Sequence, residues 1–158
     1  MEAEGYEFAI RAYLIPLILA AVVGQSLVSL ARGADIASRL RDREAFASVA
    51  LGWIPVVLLG ALPYWLGGVF YGPAELSMDS VAVTDVMSGA IHSWFESMSG
   101  FTTTGSTVID HATSPRCTEG SDCISSQPQS LILWRSLTQW LGGMGVIMLG
   151  LLILSQAL

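Results

Sequence analysis

Apolar residues fall into four runs along the chain, separated by polar stretches of unequal character. The first, Phe8 to Ala31, reaches the roughly 20 residues that a bilayer-spanning helix needs. Arg11 near its start can snorkel to the interface, and Pro16 lies in its first turns. The second, Ala45 to Phe70, is interrupted by Gly52, Pro55, Gly60 and Pro63. It predicts a kinked spanning helix whose freed backbone groups are met by neighbouring helices. Tyr64, Trp65, Phe70 and Tyr71 close it, an aromatic cluster suited to the membrane–water interface. The third, Val86 to Gly100, carries His92, Trp94 and Glu96 and is too short to span, in the range of re-entrant segments. The fourth, Ser130 to Leu158, predicts a helix of roughly 44 Å, which can span with tilt.

The polar stretches orient these runs. Arg32, Arg39, Arg41 and Arg43, four of the seven basic residues, crowd into one loop. The positive-inside rule makes that loop cytoplasmic and puts the acidic N-terminus (Glu2, Glu4, Glu7) outside. The stretch after Tyr71, with Pro73, Glu75, Asp79 and Asp85, and the later one with Pro115, Cys117, Cys123 and Pro128 are then both external. A chain that leaves and returns on the same side between them must dip into the membrane and come back. The expected order is an extracellular N-terminus and first transmembrane helix (1–31), a cytoplasmic arginine loop (32–44), the outer helix of a pore unit (45–71), a re-entrant half-helix with a filter loop (86–107), an extracellular loop (108–129) and an inner helix (130–158). The fold class is an all-α membrane protein: one transmembrane helix plus one helix–re-entrant loop–helix unit, like that of a potassium channel.

Composition narrows the function. Only 13% of the 158 residues are charged and 53% are hydrophobic, where a soluble domain carries about 25% charged residues. Acidic residues outnumber basic ones 13 to 7, and every base is arginine, which argues against nucleic-acid binding. Two cysteines cannot complete a four-ligand metal site; lying outside, they could pair in a small-loop disulfide or remain free. Met1-Glu2-Ala3-Glu4 is acidic where a secretory leader is basic, so no leader is expected. No paired carboxylates, histidine cluster or nucleophile–base arrangement points to an enzyme, and no organic cofactor is expected.

The chemistry concentrates at Thr102-Thr103-Thr104-Gly105-Ser106. Non-helical backbone at membrane depth is tolerated only when it is buried in protein or lines a water-filled path. A potassium ion crossing a membrane exchanges its hydration shell for fixed oxygens, which pore filters supply from backbone carbonyls. Gly105 is the residue able to take the backbone angles this needs, and the preceding half-helix points its partially negative C-terminal end toward the pore. No carboxylate lies between Ser99 and Ile109. In a soluble protein the same run would be ordinary turn chemistry; its flanks are what make it a filter candidate.

Three stretches carry a family resemblance. Ser93-Trp-Phe-Glu-Ser-Met-Ser-Gly-Phe-Thr-Thr-Thr-Gly-Ser-Thr107 resembles the first pore loop of the Trk/Ktr potassium transporter family, in its TrkH-type membrane subunit. Arg43-Glu-Ala-Phe46 leading to Gly60-Ala-Leu-Pro-Tyr64 resembles that family's first pore-unit helix, and Leu133-Trp-Arg-Ser-Leu-Thr-Gln-Trp-Leu-Gly-Gly-Met-Gly-Val146 the helix that follows the loop. The resemblance implies potassium transport through a pore of four such units in one chain, of which one is present here, preceded by one helix where the family has two. It implies that backbone oxygens of Thr103, Thr104 and Gly105 face the ion, with K+ held at Thr103 and Thr104 and with Thr102 and Ser106 flanking. Its implied partners are the remaining pore units, a second full-length subunit in a homodimer, a cytosolic nucleotide-binding ring of the TrkA kind, and the lipid bilayer of the plasma membrane. A homotetramer of single units, like the simplest potassium channels, and a non-transporting accessory fragment are the alternatives.

Glu96 at membrane depth is by default a functional residue; here it reads as structural support, paired with Arg135 or capping backbone donors behind the filter. Gly142, Gly143, Gly145 and Gly150 give the last helix a small-residue face suited to close packing. Met98, Met144 and Met148 read as packing residues, His92 as a half-helix residue with a local partner, and His111 as exposed.

Overall fold

A computed structural model describes residues 7–32, 42–78 and 80–157. The acidic residues Glu2 and Glu4, most of the arginine loop (Arg39 and Arg41 included) and Asp79 lie outside the described residues. Those described are helical or irregular, with no strand among them.

The first apolar run is helical from Glu7, passes through a π-helical turn at Ile10–Leu14 and continues as helix α1, Ile15–Ala31, with Pro16 just after the π turn, where its missing N–H interrupts the ladder. From Glu7 to Ala31 this is the one described helix long and apolar enough to cross a membrane. Helix α2 is Asp42–Leu66 and runs through both Pro55 and Pro63. It stops at Leu66, so the aromatic residues Phe70 and Tyr71 lie beyond its end. The stop is a Schellman closure: Gly68 takes a φ of +69°, and the Val69 N–H returns to the Tyr64 carbonyl at 3.1 Å. Arg116 finishes the cap from a loop distant in sequence. Its Nε donates to the Gly68 carbonyl (2.9 Å) and its Nη2 to that of Gly67 (3.2 Å).

A short 3-10 turn at Glu75–Ser77 leads to helix α3, Val83–Phe101. The Asp85 carboxylate accepts from the Ala82 N–H at 2.8 Å, a first-turn acid that satisfies an orphan donor and suits the helix dipole. Helix α4, Gln129–Ala157, follows a long loop directly after Pro128. Within that loop Cys117 and Cys123 are disulfide-bonded, with Cα atoms 5.0 Å apart.

Helix α3 packs between α2 and α4 and is the hub of the fold. Tyr64, Val69, Phe70 and Leu131 form the apolar core, with Phe8, Tyr13, Val108, Ile109 and Trp134 against it. Elsewhere polarity is inverted relative to a soluble protein. Ser93, Glu96, Ser97 and Thr138 are fully buried, whereas Leu17 is 66% and Leu30 79% exposed. An outward apolar surface around a polar interior is what a hydrocarbon solvent selects. Cross-helix bonds knit that interior: Ser97 Oγ to the Val57 carbonyl (2.8 Å), Trp134 Nε1 to that of Gly60 (3.1 Å) and Trp65 Nε1 to that of Val86 (3.1 Å).

Candidate functional site

Helix α3 ends with the same closure as α2, but with the wrong residue for it. Thr103 N–H donates to the Gly100 carbonyl (2.9 Å) and Thr104 N–H to that of Ser99 (3.0 Å), the pair of bonds that defines a Schellman motif. The left-handed position is therefore Thr103, with φ +58°, and it is the only described non-glycine residue there. A β-branched residue in this region is a genuine outlier, held at a cost of about 1–2 kcal/mol. Gly105 is also left-handed, at φ +75°, whereas Thr102 has φ −87°. Sequence reasoning gave the unusual backbone to Gly105 alone; the structure shares it with Thr103.

The helix end does not face open space. Its last carbonyls are taken by the loop itself: Met98 by Thr102 N–H, Gly100 by Thr103, and Ser99 by both Thr104 and Gly105. The partial negative charge expected at the helix terminus is thus relayed into the loop rather than presented directly.

Beyond Gly105 the chain doubles back along α3. Ser99 Oγ donates to the Ser106 carbonyl at 2.6 Å. One turn earlier, Glu96 Oε2 accepts from Thr107 Oγ1 (3.1 Å) and Val108 N–H (3.2 Å). Arg135 on α4 completes the bracket, donating through Nη1 to Glu96 Oε1 at 2.7 Å and through Nη2 to the carbonyls of Gly105 (3.0 Å) and Ser106 (3.4 Å). Glu96 is 0% exposed and the Arg135 side chain 16%. A buried carboxylate is tolerable only when paired and hydrogen-bonded, and both of its oxygens are.

These bonds sort the loop carbonyls. That of Thr102 accepts from Thr103 Oγ1 (2.7 Å), and those of Gly105 and Ser106 are held by Arg135 and Ser99. Among the described residues, the carbonyls of Thr103 and Thr104 alone in this run have no donor. The five residues named from sequence thus lie in one short loop, but Gly105 and Ser106 turn their oxygens to protein.

Glycines seat the loop against α4 and α2. A Cβ on Gly142 would strike the Phe101 carbonyl, and one on Gly100 the Thr138 hydroxyl. Gly143 lies under the Thr103 methyl, 3.7 Å from where its own Cβ would stand. Sequence reasoning missed Ser97, Ser99 and Arg116. The signal for Ser97 was present: Ser93, Glu96, Ser97 and Gly100 recur at i, i+3, i+4, i+7, a polar stripe on one helical face, which Ser99 does not share. For Arg116 there was none, since its partners are backbone atoms more than forty residues away. Met98, Met144 and Met148 are exposed rather than packed inside. His92 stacks on Phe70, ring centroids 5.6 Å apart, and exposed His111 pairs with Asp110.

Comparison with known proteins bears on this site. No family model and no solved structure matches the chain. The Trk system potassium uptake protein TrkH of Halomonas elongata is 38% identical over 115 residues, 73% of this chain and 18% of that protein. TrkH of Escherichia coli strain K12 is 35% identical over the same shares. An uncharacterized cation transporter of Methanocaldococcus jannaschii is 28% identical over 145 residues, 92% of this chain and 24% of that protein. The chain therefore spans about a fifth of the length of the relatives it matches, and over that part it is, as its motifs imply, a homologue of the Trk potassium uptake proteins.

Proposed function

We propose that this chain takes part in transmembrane transport of a monovalent cation, potassium, and contributes one of the four filter loops of a TrkH-type uptake subunit. The observation that carries this reading is the pair of free carbonyls at Thr103 and Thr104, set in a loop whose other oxygens are occupied. An ion shedding water needs oxygens that have no other partner, and these two residues offer them in succession. The doubling-back of 102–109 along α3 supports a re-entrant segment, with Glu96 and Arg135 as its brace. The four-arginine loop supports a cytoplasmic position for residues 32–44, and hence a filter opening outward. In this reading the remaining oxygens come from further pore units of the same subunit. That subunit pairs with a second copy and sits on a cytosolic nucleotide-binding ring.

The test is complementation of potassium-uptake-deficient cells. The gene carrying this segment, in its whole reading frame, should restore growth at low potassium, and Gly105→Ala should abolish the rescue without lowering membrane expression. Rescue by residues 1–158 alone would replace the four-unit reading with a homotetramer. No rescue by either, with good expression, would favour an accessory role.

A further inference from the structure

We infer that Ser99, which neither the motifs nor the homology singles out, is the positioning residue that aims the two free carbonyls of the loop. The inference rests on the reading that residues 102–106 line an ion path. Peptide groups are planar, and every described bond is trans, so each carbonyl points opposite to the N–H of the next residue. The amides of Thr104 and Gly105 both donate to one atom, the Ser99 carbonyl oxygen, at 3.0 and 3.4 Å. Their peptide partners are the carbonyls of Thr103 and Thr104. Both of these must therefore point away from Ser99, on the same side of the loop. In a strand, successive carbonyls alternate; here a shared acceptor removes the alternation. The φ of Thr103, +58°, is the backbone cost of that arrangement; Gly105, at +75°, takes its left-handed angle freely.

The side chain of Ser99 fixes the other end of the same turn. Its hydroxyl donates to the Ser106 carbonyl at 2.6 Å, which holds Gly105 and Ser106 against α3 and within reach of Arg135 Nη2. Ser99 is 4% exposed, so water cannot stand in for the hydroxyl. One residue thus grips the loop twice, through its carbonyl on the near side and its hydroxyl on the far side. Losing the hydroxyl keeps the shared acceptor in place but leaves the Ser106 carbonyl to Arg135 alone, at 3.4 Å, so the far end of the turn loosens and the aim of the Thr104 carbonyl with it.

The experiment is potassium uptake by the full-length protein in uptake-deficient cells, with sodium competition and the amount of membrane protein measured alongside. Ser99→Ala should raise the potassium concentration for half-maximal uptake about tenfold, as expected for one buried hydrogen bond, and weaken discrimination against sodium. Ser99→Thr, which keeps the hydroxyl, should retain discrimination. Ser99→Cys, a weaker donor of similar size, should fall between them, and it carries the test if Ser99→Ala fails to accumulate. Unchanged half-saturation and sodium competition in Ser99→Ala, or in Ser99→Cys if that alone accumulates, overturns the assignment. Gly105→Ala separates this assignment from the loop reading. If it abolishes uptake or alters discrimination at normal membrane expression while the Ser99 variants match the parent, Ser99 is not the positioning residue but the loop reading stands. If Gly105→Ala and the Ser99 variants all take up potassium with unaltered discrimination, the loop reading itself falls.

Discussion

Arg135 reaches past Glu96 to the backbone of the loop: one guanidinium nitrogen lies 2.7 Å from Glu96 Oε1, and the other 3.0 Å from the Gly105 carbonyl. The pair works as a bracket between α3, α4 and the returning chain. Removing one charge of a buried pair is destabilising by about 3–5 kcal/mol, because the survivor is left uncompensated. Glu96→Gln keeps the shape but strands Arg135, whose Nη2 still holds the loop carbonyls. Its expected outcome is a lower yield of monodisperse protein and a lower melting point in detergent, with ion selectivity of the folded fraction intact. Changed selectivity at normal yield and melting point would refute the bracing role.

Thr103 occupies a position that glycine fills at the matching end of α2, where Gly68 has φ +69°. Two caps with one geometry and different residues isolate the strain at Thr103. Thr103→Gly relieves about 1–2 kcal/mol of left-handed strain, offset in part by the greater chain entropy of glycine and the lost bond from Thr103 Oγ1 to the Thr102 carbonyl. The variant should melt no lower than the parent, yet transport with poorer discrimination, since strain held at a functional site is commonly tied to its function. Thermal unfolding and sodium competition on the same preparation check both halves. A substantial loss of stability would mean that the threonine is structural.

The Cys117–Cys123 disulfide closes a loop with a sequence separation of 6, for which chain-entropy arguments give about 2 kcal/mol. Around it, Gln127 Nε2 ties Ser114 Oγ (3.1 Å) to the Cys123 carbonyl (3.0 Å), and neighbouring Arg116 caps α2. Cys117→Ser with Cys123→Ser should therefore lower the melting point by several degrees while leaving helix content unchanged, as followed by circular dichroism. Thiol labelling of the unreduced parent should leave Cys117 and Cys123 unlabelled.

Much of this arrangement was legible in the sequence because the bilayer simplifies the code. Apolar runs of the right length give helices, and a lone carboxylate at membrane depth demands partners, so the support role of Glu96 was legible with Arg135 and backbone donors as the two candidates; the structure gives it both. The residues that set the geometry of the loop were less legible. Thr103 as a left-handed residue contradicts its own propensity, and the bonds that close the helix end around it run to backbone carbonyls, those of Gly100 and Ser99, rather than to side chains. Ser99 acts mainly through its backbone oxygen, which no side-chain pattern encodes. Arg116 depends on the loop between α3 and α4 folding back over the end of α2, a contact with no local period. The glycines of α4 were legible as a small-residue face, but not as individuals.

The structure separates those glycines, and that separation makes the sharpest test of the packing. Gly142 meets the Phe101 carbonyl, backbone atoms that cannot move without displacing the end of α3, whereas nothing lies within 4 Å of a Cβ on Gly150. Gly145 stands between the two, with the Trp53 ring at 3.6 Å, an ordinary contact. Alanine favours a helix over glycine by about 1 kcal/mol, so Gly150→Ala should stabilise slightly or be neutral, and Gly145→Ala should be tolerated. Gly142→Ala adds the same methyl where overpacking costs about 1–3 kcal/mol or more, and it pushes Phe101 toward the strained Thr103. Its melting point should fall below those of the other two variants, and potassium uptake should fall with it. Equal behaviour of all three would mean that α4 does not seat the loop through Gly142.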